Sequence, residues 1–408
     1  MAEVTNYIDR LVAELCPDGV EYRPLESLGK RNKGTAITAS KMRSLEPGKK
    51  DLRIFAAGST FVDTDSSNIP AKDILHGPAI IVKSRGYIGF EYYEKSFTHK
   101  NEMWSYTLDS NIVNQKFIYY YLLTQAYYLQ ELARSKSVKL PQLAVKDTDS
   151  LEVPVPPLEI QEAIVEILDK FTNLEAELEA ELEARTLQYE YYRDSLFEAL
   201  DCPRATLGEL GKFYGGLKGK TKNDFGSSGA RYISYKNVYE NISTDFTWPD
   251  FVQVKEGENQ LSLMKGDILL TGSSENMEES GLSSVVTKEP GEKAYLNSFS
   301  ICYRLNDPSI LNPEFSKYLF RSRLARKQII RTAQGVTRFN VSKKKLANVT
   351  IPIPSLEEQQ RIVDILDRFD ALTTSLSEGL PAELAARRSQ YEYYRDQLLT
   401  FPRKGENQ

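Results

Sequence analysis

The stretch VPVPPLEIQEAIVEILDKF, residues 153–171, decides the organisation of this chain because it recurs as IPIPSLEEQQRIVDILDRF at residues 351–369. The two copies lie 198 residues apart, and the same displacement relates the helical segment around Phe117 to the one around Phe315. Self-similarity at a fixed displacement indicates an internal repeat rather than two unrelated domains. The repeat therefore begins well before the proline motif.

A second shared block follows each proline motif. QYEYYRDSL begins at Gln188 and QYEYYRDQL at Gln390, now 202 residues apart, so the second copy has four more residues between its blocks. Each copy consists of a variable domain, a Pro-x-Pro strand end and a long helical stretch. We predict an N-terminal helical segment, variable domain one, spacer helix one, variable domain two, spacer helix two and a tail, at residues 1–20, 21–156, 157–200, 201–354, 355–400 and 401–408.

Both helical stretches repeat apolar residues at spacings near three, four or seven, the pattern of a coiled-coil seam. Gly379 and Pro381 interrupt the second stretch, which predicts two helical pieces. The extra four residues preserve the apolar face while shifting the seam, as a stutter does, so the two stretches can still pair. The predicted seam residues are Leu168, Phe171, Leu174, Leu178, Leu182, Tyr189, Tyr192 and Leu196, and Leu366, Phe369, Leu372, Leu376, Leu380, Leu384, Tyr391, Tyr394 and Leu398.

The start of the chain is a third, partial copy of the repeat. DRLVAELCP from Asp9 resembles DSLFEALDCP from Asp194, so a helix end precedes each variable domain. The C-terminal helix ends in RDQLLTF, and the N-terminal segment is the piece that would continue it in a closed chain. We therefore expect a cyclic, pseudo-two-fold arrangement with neighbouring termini.

Charge is divided unevenly along the sequence. The net charge is −5, but residues 157–200 hold 12 acidic and 3 basic side chains and residues 355–400 hold 9 and 5, a combined −13. About +8 is therefore left for the rest of the chain. A mildly basic remainder is compatible with phosphate binding, although it is weaker evidence than a concentrated basic stripe.

The remaining composition narrows the class of protein. With 408 residues and 41% hydrophobic side chains, the chain has room for two or more globular cores. The three cysteines, Cys16, Cys202 and Cys302, are odd in number and far apart, which predicts neither a disulfide framework nor a zinc cluster. The N-terminal sequence lacks an apolar signal core and no apolar run approaches the roughly 20 residues that span a bilayer. We expect a soluble, cytoplasmic protein.

These motifs resemble those of the specificity subunits of Type I restriction-modification enzymes, which carry P-x-P-x-x-E-x-Q, I-x-x-x-L-D-x-F and Q-Y-x-Y-Y-R-D-x-L in duplicate. The resemblance implies an α+β protein with two globular α/β target-recognition domains separated by two long antiparallel helices. Each domain would read one half of a bipartite, asymmetric site in double-stranded DNA. The helices would set the gap and dock two modification subunits, with restriction subunits joining the complex.

The same resemblance places all chemistry in the partner subunits. S-adenosylmethionine, ATP and Mg²⁺ are expected there, and this chain is expected to bind no cofactor and to be no enzyme. The partner-binding candidates are the repeated Tyr-Tyr-Arg faces, although some of these rings are expected to serve as seam core. Ile160 stands where the second copy has Glu358, so the two docking faces need not be equivalent. The candidate partner contacts are Tyr191, Tyr192, Arg193, Tyr393, Tyr394 and Arg395.

Candidate DNA contacts are concentrated in flexible, basic stretches of both variable domains. FYGGLKGKTKNDFGSSGARYISYKNV joins a glycine-rich loop to four lysines, where lysines suit phosphates and Asn or Arg can read base edges. RSKSVKLPQLAVK aligns with TAQGVTRFNVSKK at the 198-residue displacement. A solvated loop is the alternative for each. The candidates are Lys218, Lys220, Lys222, Asn223, Thr337, Arg338 and Lys344 in the second domain and Arg134, Lys136 and Lys139 in the first.

A further basic stretch in the first domain has a core-plus-loop interpretation that is at least as good as DNA binding. It runs IVKSRGYIGFEYYEKSFTHKNEMW. Its candidates are Lys83, Arg85, Tyr87, His99 and Lys100.

Enzyme motifs fail on inspection. GGLKGKT at 215–221 is one residue short of the P-loop spacing, and no Asn-Pro-Pro-aromatic or Asp-Pro-Pro-Tyr motif of an amino-methyltransferase occurs. His76 and His99 are too distant in sequence to make a ligand set, so we predict neither catalytic nor metal-binding residues. Two rivals stay open: a coiled-coil adaptor whose domains bind protein or sugar, and an autonomous bipartite repressor.

Overall fold

The computed structural model describes residues 2–45, 50–137, 139–374 and 379–405. Within it the chain forms two compact units, the first from residues 1–178 and 384–408 and the second from residues 179–383. The division falls inside helix α5, Leu158–Glu198, a continuous helix of 41 residues that is about 60 Å long. Each unit therefore contains one variable domain, the start of its own spacer helix and the end of the other spacer.

The described residues of the first unit form ten strands and the helices that cover them. Its helices are α1 (Ala2–Leu15), α2 (Ala39–Arg43), α3 (Gln115–Lys136), α4 (Val145–Asp149) and the first half of α5. Its strands are β1 (Tyr22–Pro24), β2 (Gly29–Lys33), β3 (Leu52–Phe55), β4 (Phe61–Thr64), β5 (Leu75–His76), β6 (Ala79–Lys83), β7 (Gly89–Tyr93), β8 (Ser96–His99), β9 (Trp104–Leu108) and β10 (Glu152–Pro154).

In the part of the second unit that the structure describes, the chain forms thirteen strands and seven further α-helices. The strands are β11 (Arg204–Thr206), β12 (Gly211–Gly215), β13 (Phe225–Gly226), β14 (Ala230–Ile233), β15 (Phe251–Val252), β16 (Ile268–Thr271), β17 (Ser273–Ser274), β18 (Ser283–Val285), β19 (Ala294–Leu296), β20 (Ser300–Leu305), β21 (Ala333–Gln334), β22 (Phe339–Val341) and β23 (Thr350–Pro352). The helices are α6 (Leu207–Leu210), α7 (Tyr235–Glu240), α8 (Pro313–Leu319), α9 (Arg323–Ile330), α10 (Lys343–Leu346), α11 (Leu356–Thr374) and α12 (Leu380–Leu398), whose end belongs to the first unit.

The two variable domains share the topology of one four-stranded sheet and three strands of the other; in that other sheet the fourth strand joins opposite edges, β5 next to β8 but β13 next to β15. The first has four-stranded sheets in the orders β2-β9-β6-β7 and β4-β3-β8-β5, and the second has β12-β20-β16-β18 and β13-β15-β14-β19. In each second sheet one strand pair is parallel, β3 with β8 and β14 with β19. The prediction of two mixed helix-and-strand domains linked by long helices is confirmed, and the repeat extends into domains whose sequences differ.

The proline motif forms the same small sheet in both units. Strand β10 pairs with β1 and β23 pairs with β11, and their central residues Val153 and Ile351 are fully buried. Each strand ends at its proline, which has no backbone N–H to extend the ladder. The chain then turns directly into the spacer helix, so the motif fixes where each long helix leaves its domain.

The glutamine of the E-x-Q motif makes the same buried hydrogen bonds in both copies, which explains why it occurs in each. Gln161 is fully buried; its Nε2 donates to the carbonyl of Pro156 at 2.6 Å and its Oε1 accepts from the backbone N–H of Asn114 at 2.7 Å. Gln359 makes the corresponding bonds, at 3.0 and 2.7 Å. One amide thus pairs backbone groups at two loops that would otherwise be buried without partners.

Spacer helices pack antiparallel within each unit. In the first, Phe171 stacks on Tyr394 at 5.7 Å and Glu175 pairs with Arg388 at 2.6 Å, so the contact moves back along α12 as α5 advances. In the second, Tyr192 stacks on Phe369 at 5.4 Å. The seam prediction is wrong at Leu174 and at Leu372, which are 48% and 39% exposed, while Glu175 faces α12. The predicted seam residue Leu376 lies outside the described residues.

Two further sequence expectations concern helix ends. Helix α11 ends at Thr374 and α12 begins at Leu380, as Gly379 and Pro381 predict. The segment around Phe315, however, forms two helices where the first domain has the single 22-residue helix α3. The break occurs because the Ser322 side chain accepts a hydrogen bond from Ala325 N–H and starts α9 as its N-cap.

The N-terminal segment contacts the end of the chain in the first unit. Val20 N–H donates to the Pro402 carbonyl at 2.8 Å, and Lys404 N–H returns a bond to Val20 at 3.0 Å. Helix α1 contributes Ile8 to the same buried cluster as Leu398. The chain therefore comes back to its starting domain. No helix in the described part of the chain is both long and apolar enough to cross a bilayer.

Candidate nucleic-acid interface

The lysine-rich loop of the second domain, residues 216–224, is anchored at its start. A side chain at Gly216 would lie 1.9 Å from the Asn297 carbonyl oxygen, so only glycine fits this crossing. The backbone N–H and carbonyl of Lys218 both bond to the amide of Gln260, at 3.0 and 2.9 Å. The loop backbone is therefore held in place while the Lys218 side chain stays exposed.

The four predicted residues of this loop divide into two groups. Lys218, Lys222 and Asn223 are exposed and available to an external ligand. The Lys220 side chain is only 6% exposed because its ammonium bonds to Glu258 and to the Gln253 carbonyl at 2.6 Å. This geometry gives Lys220 a structural role in tying the loop to the neighbouring segment, and it leaves the other three as the better candidates.

A second predicted stretch forms a hairpin beside this loop. Strands β21 and β22 are joined by residues 335–338, with Gly335 at φ 146° and Val336 90% exposed at the tip. Thr337 and Arg338 are exposed on the same loop, and Lys344 is exposed on α10. Burial lowers the pKa of Lys343, and the nearby charge of Lys218 adds to that shift. The two predicted basic stretches are therefore neighbours in space.

A recess of about 250 Å³ opens next to this hairpin, lined by Tyr235, Ser273, Ser274, Glu275, Phe299 and Arg338. Tyr235 donates its hydroxyl to the Ser273 carbonyl at 2.8 Å. Phe299 is 63% exposed, unusual for a ring in a short polar loop. The sequence prediction named only Arg338 here; the isolated aromatic in Asn297-Ser-Phe-Ser was a signal that could have added Phe299.

The first domain builds the corresponding edge from different residues. Gly86 N–H donates to Pro141 at 2.9 Å and Leu143 N–H donates to Ser84 at 2.9 Å, so residues 84–86 pair with 141–143. In the second domain residues 272–274 pair with 339–341 in the same way. We call these two segments, with the loop residues next to them, the hairpin edge of each domain.

Two of the first domain's three main candidates are engaged by acidic neighbours. Arg134 pairs with Glu131 at 2.5 Å, and Lys136 pairs with Asp147. Lys139 is exposed beside the hairpin edge. The pairs of Arg134 and Lys136 are partly exposed, so a phosphate could compete for these cations, and Lys139 is the least encumbered of the three.

The secondary candidates of the first domain also separate. Lys83 and Lys100 pair with Glu91 and Glu102, at 2.7 and 2.5 Å. His99 is fully buried, its Nε2 lies 3.2 Å from Ser105 Oγ, and burial lowers its pKa. His99 is thus a core residue. Arg85 and Tyr87, by contrast, are exposed on the hairpin edge, Tyr87 at 77%.

The predicted partner faces on the spacer helices split between seam and surface. Tyr394 stacks on Phe171 and is half-buried in the seam, whereas Tyr192 stacks on Phe369 and is still 43% exposed. Tyr191 and Tyr393 are 70% and 59% exposed on the same turns. The arginines bond to the adjacent aspartates: Arg193 to Asp194 at 3.2 Å and Arg395 to Asp396 at 2.7 Å. The tyrosines that point outward are the stronger docking candidates.

The two units differ at the start of the spacer helix. Ile160 is fully buried in a cluster to which helix α1 contributes Ile8, with Leu11 packed against it. At the matching position of the second unit, Glu358 pairs with Arg361 at 2.6 Å. A recess of about 310 Å³ lies there, lined by Tyr192, Ser195, Leu196, Ala199, Leu200, Glu358 and Arg361. The expectation of two non-equivalent faces agrees with this difference in packing.

A metal site would need several ligating side chains close together within the ranges that the structure describes. No group of three or more His, Cys, Asp or Glu side chains there is placed to hold a metal ion. Cys16, Cys202 and Cys302 are free thiols, and burial raises the pKa of Cys302 well above its usual value. The prediction of no catalytic residue stays a prediction.

Comparison with known proteins places the chain in a family. The model of the Type I restriction modification DNA specificity domain matches residues 17–184 and 204–386, once for each repeat. The EcoR124I/EcoR124II specificity subunit of Escherichia coli is 33% identical over 339 residues, 78% of each chain.

Two solved structures share the fold at low sequence identity. The Type-I restriction-modification S subunit from M. genitalium is 17% identical with a TM-score of 0.51, covering 93% of this chain and 96% of that one. A chain from a structure of the type I R-M system is 15% identical with a TM-score of 0.58, covering 93% and 97%. With both repeats matched and a relative at 33% identity, the chain belongs to the family of Type I restriction enzyme specificity subunits.

Proposed function

We propose that this chain is the non-catalytic DNA-recognition subunit of a Type I restriction-modification enzyme and binds a bipartite, asymmetric site in double-stranded DNA. One observation carries the proposal: a four-stranded sheet of the same topology occurs in both domains, together with a second sheet that has one parallel strand pair, and their hairpin edges carry different exposed side chains. Tyr87 lies on that edge in the first domain, whereas Arg338 lies on it in the second, beside the exposed ring of Phe299. Two variable domains with related folds and different exposed side chains are suited to two different half-sites.

The placement of charge supports DNA as the ligand. Lys218 and Lys344 are exposed near the hairpin edge of the second domain, Lys222 is exposed on the same loop as Lys218, and Lys139 is exposed beside the hairpin edge of the first domain. Cations in such loops can neutralise phosphates, while the acidic surface of the spacer helices would repel them. The charge pattern therefore directs DNA to the domains and leaves the helices to protein partners.

The partners follow from the same division of surfaces. Two modification subunits would dock on the helical faces that include Tyr191 and Tyr393, whose rings are 70% and 59% exposed. Exposed tyrosines are common anchors at protein interfaces because they bury a large area at low entropic cost. Restriction subunits would join this complex, and the partners would supply the sites for S-adenosylmethionine, ATP and Mg²⁺.

Co-expression with a modification subunit tests the proposal directly. The chain should purify in a complex with two modification subunits, and methylome sequencing of the host should report one motif with two defined halves separated by a gap. Binding of the purified complex to that DNA should weaken steeply with salt. A chain that forms no such complex, or a host with no bipartite methylation, would contradict the proposal and favour a protein-binding adaptor.

A further inference from the structure

The hairpin edges of the two domains have the same backbone pairing and different side chains. Residues 84–86 of the first domain pair with 141–143, and residues 272–274 of the second pair with 339–341. In this register Leu140 of the first domain corresponds to Arg338 of the second, at the 198-residue displacement. Leu140 is 47% exposed and Arg338 is also exposed. The same position therefore presents an apolar side chain in one domain and a cation in the other.

The recess of the second domain holds unsatisfied groups of both signs. Arg338 and Glu275 line it, both are exposed, and within the described residues neither side chain has a protein hydrogen-bond partner. An arginine offers a planar fork of donors, and a carboxylate offers only acceptors. Side chains that line one recess without pairing to the protein are free to bond to an external ligand.

The surrounding residues hold this recess in shape. Strand β17 pairs with β22 through Ser273 with Asn340 and Ser274 with Phe339, which fixes the backbone on both sides of the recess. Tyr235 is tied to the Ser273 carbonyl and its ring stacks on Tyr239, with centroids 6.4 Å apart. The paired strands therefore fix the backbone from which Arg338 and Glu275 extend, and a fixed backbone limits which base edges these side chains can reach.

We propose that this recess reads one G·C base pair in the major groove of the second half-site. The Arg338 guanidinium would donate two hydrogen bonds to guanine O6 and N7, and the Glu275 carboxylate would accept one from cytosine N4–H. An A·T pair offers a poor match: adenine presents a donor at N6 where guanine presents O6, and thymine has no amino group. This inference rests on the proposed DNA-binding function and assigns a base pair to named residues.

The corresponding position of the first domain predicts a different preference. Leu140 has no hydrogen-bonding group and can only make apolar contact, which in the major groove favours the methyl group of thymine. The two half-sites should therefore differ at the base pair that faces this register. The difference arises from one side chain on a shared backbone, not from a different fold.

The test compares variants of the full complex with modification subunits. Arg338→Ala and Glu275→Gln should leave the first half-site unchanged, while preference for one G·C pair in the second half-site falls by about 10- to 100-fold. Competition binding against duplexes carrying each of the four base pairs at every second half-site position measures this, even where methylation becomes weak. Arg331→Ala and Glu289→Gln, which remove exposed charges of the same domain, serve as matched controls.

The outcomes separate this inference from the function on which it rests. A wild-type complex with no bipartite motif would contradict the proposed function itself. If wild type reads a bipartite site but both variants keep its full discrimination at every second half-site position, the assignment of Arg338 and Glu275 is overturned. Loss of preference at an A·T pair, or equal weakening on all duplexes, would also overturn it, because the latter marks phosphate contacts. Lost G·C preference confined to one position would support it.

Discussion

Tyr318 donates its hydroxyl to the carboxylate of Asp367 at 2.5 Å, and Tyr120 makes the same 2.5 Å bond to Asp169 in the other unit. Each bond joins a helix of the variable domain to its spacer helix, and each tyrosine is almost fully buried. Burial and the adjacent carboxylate both raise the pKa of these phenols, so they remain donors at neutral pH. The repeated pair attaches each reading domain to the helix that positions it.

Removing one of these hydroxyls should cost stability without changing the DNA sequence that is recognised. We expect Tyr120→Phe to lower the free energy of unfolding by about 1–2 kcal/mol, because a charge-assisted hydrogen bond is lost while Asp169 keeps Lys116 at 2.8 Å. Urea unfolding measures this. Tyr127→Phe is the matched control, since Tyr127 lies on the same helix and is 78% exposed. Equal destabilisation by the two variants would contradict a role for the bond.

The two spacer helices should respond differently to exchange of one matched residue. Ile160→Glu places a charge at a fully buried position and should destabilise the chain by about 3–5 kcal/mol, or prevent folding. Glu358→Ile removes a partly exposed ion pair with Arg361 and should change stability by less than about 1 kcal/mol. Thermal unfolding of both variants gives the comparison. Similar destabilisation by the two variants would contradict the view that the cluster containing helix α1 makes the two matched positions different.

The architecture could be predicted from the sequence because the features that define it are local or periodic. The Pro-x-Pro strand ends, most of the seam and the helix break at Gly379 could be predicted from spacing alone. The candidate site was harder to predict because partners that are distant in the sequence decide which of its basic side chains are available to a ligand. Lys218 and Lys220 look alike in sequence, but only Lys220 meets Glu258, 38 residues later. Lys136 likewise bonds to Asp147, and no pattern near Lys136 in the sequence predicts that contact.

Lys218 and Lys220 should contribute differently to DNA affinity. Lys218→Ala should weaken binding on all sequences and reduce the slope of log affinity against log salt by about 1, because one phosphate contact is lost. Lys220→Ala should leave that slope nearly unchanged, because its ammonium already bonds to Glu258. Fluorescence anisotropy at several salt concentrations distinguishes the two. A slope that changes more for Lys220 than for Lys218 would show that the ion pair opens on DNA.

The same ion pair should persist in mild acid. Hydrogen bonds from Lys220 and from the Lys255 backbone N–H lower the pKa of Glu258 from 4.5 to about 2. A carboxylate whose folded pKa is depressed stabilises the fold above its ordinary pKa and loses that contribution as the pH falls towards the folded value. The protection factors of the amides in the 216–224 loop, which are corrected for the intrinsic exchange rate at each pH, should therefore be maintained at pH 5 and fall between about pH 4 and pH 2. Glu258→Gln should remove this acid-induced step.

The length of helix α5 should set the gap between the two half-sites. Duplicating residues 178–181 adds four residues, which lengthens a helix by about 6 Å and rotates it by about one turn, so the apolar seam stays on nearly the same face. Because base pairs are stacked about 3.4 Å apart, we expect a gap longer by one or two base pairs and unchanged half-site sequences. Methylome sequencing of a host carrying the variant reports both quantities. An unaltered gap with intact methylation would show that the helix is not the ruler, because the two reading domains would then be positioned by their other contacts.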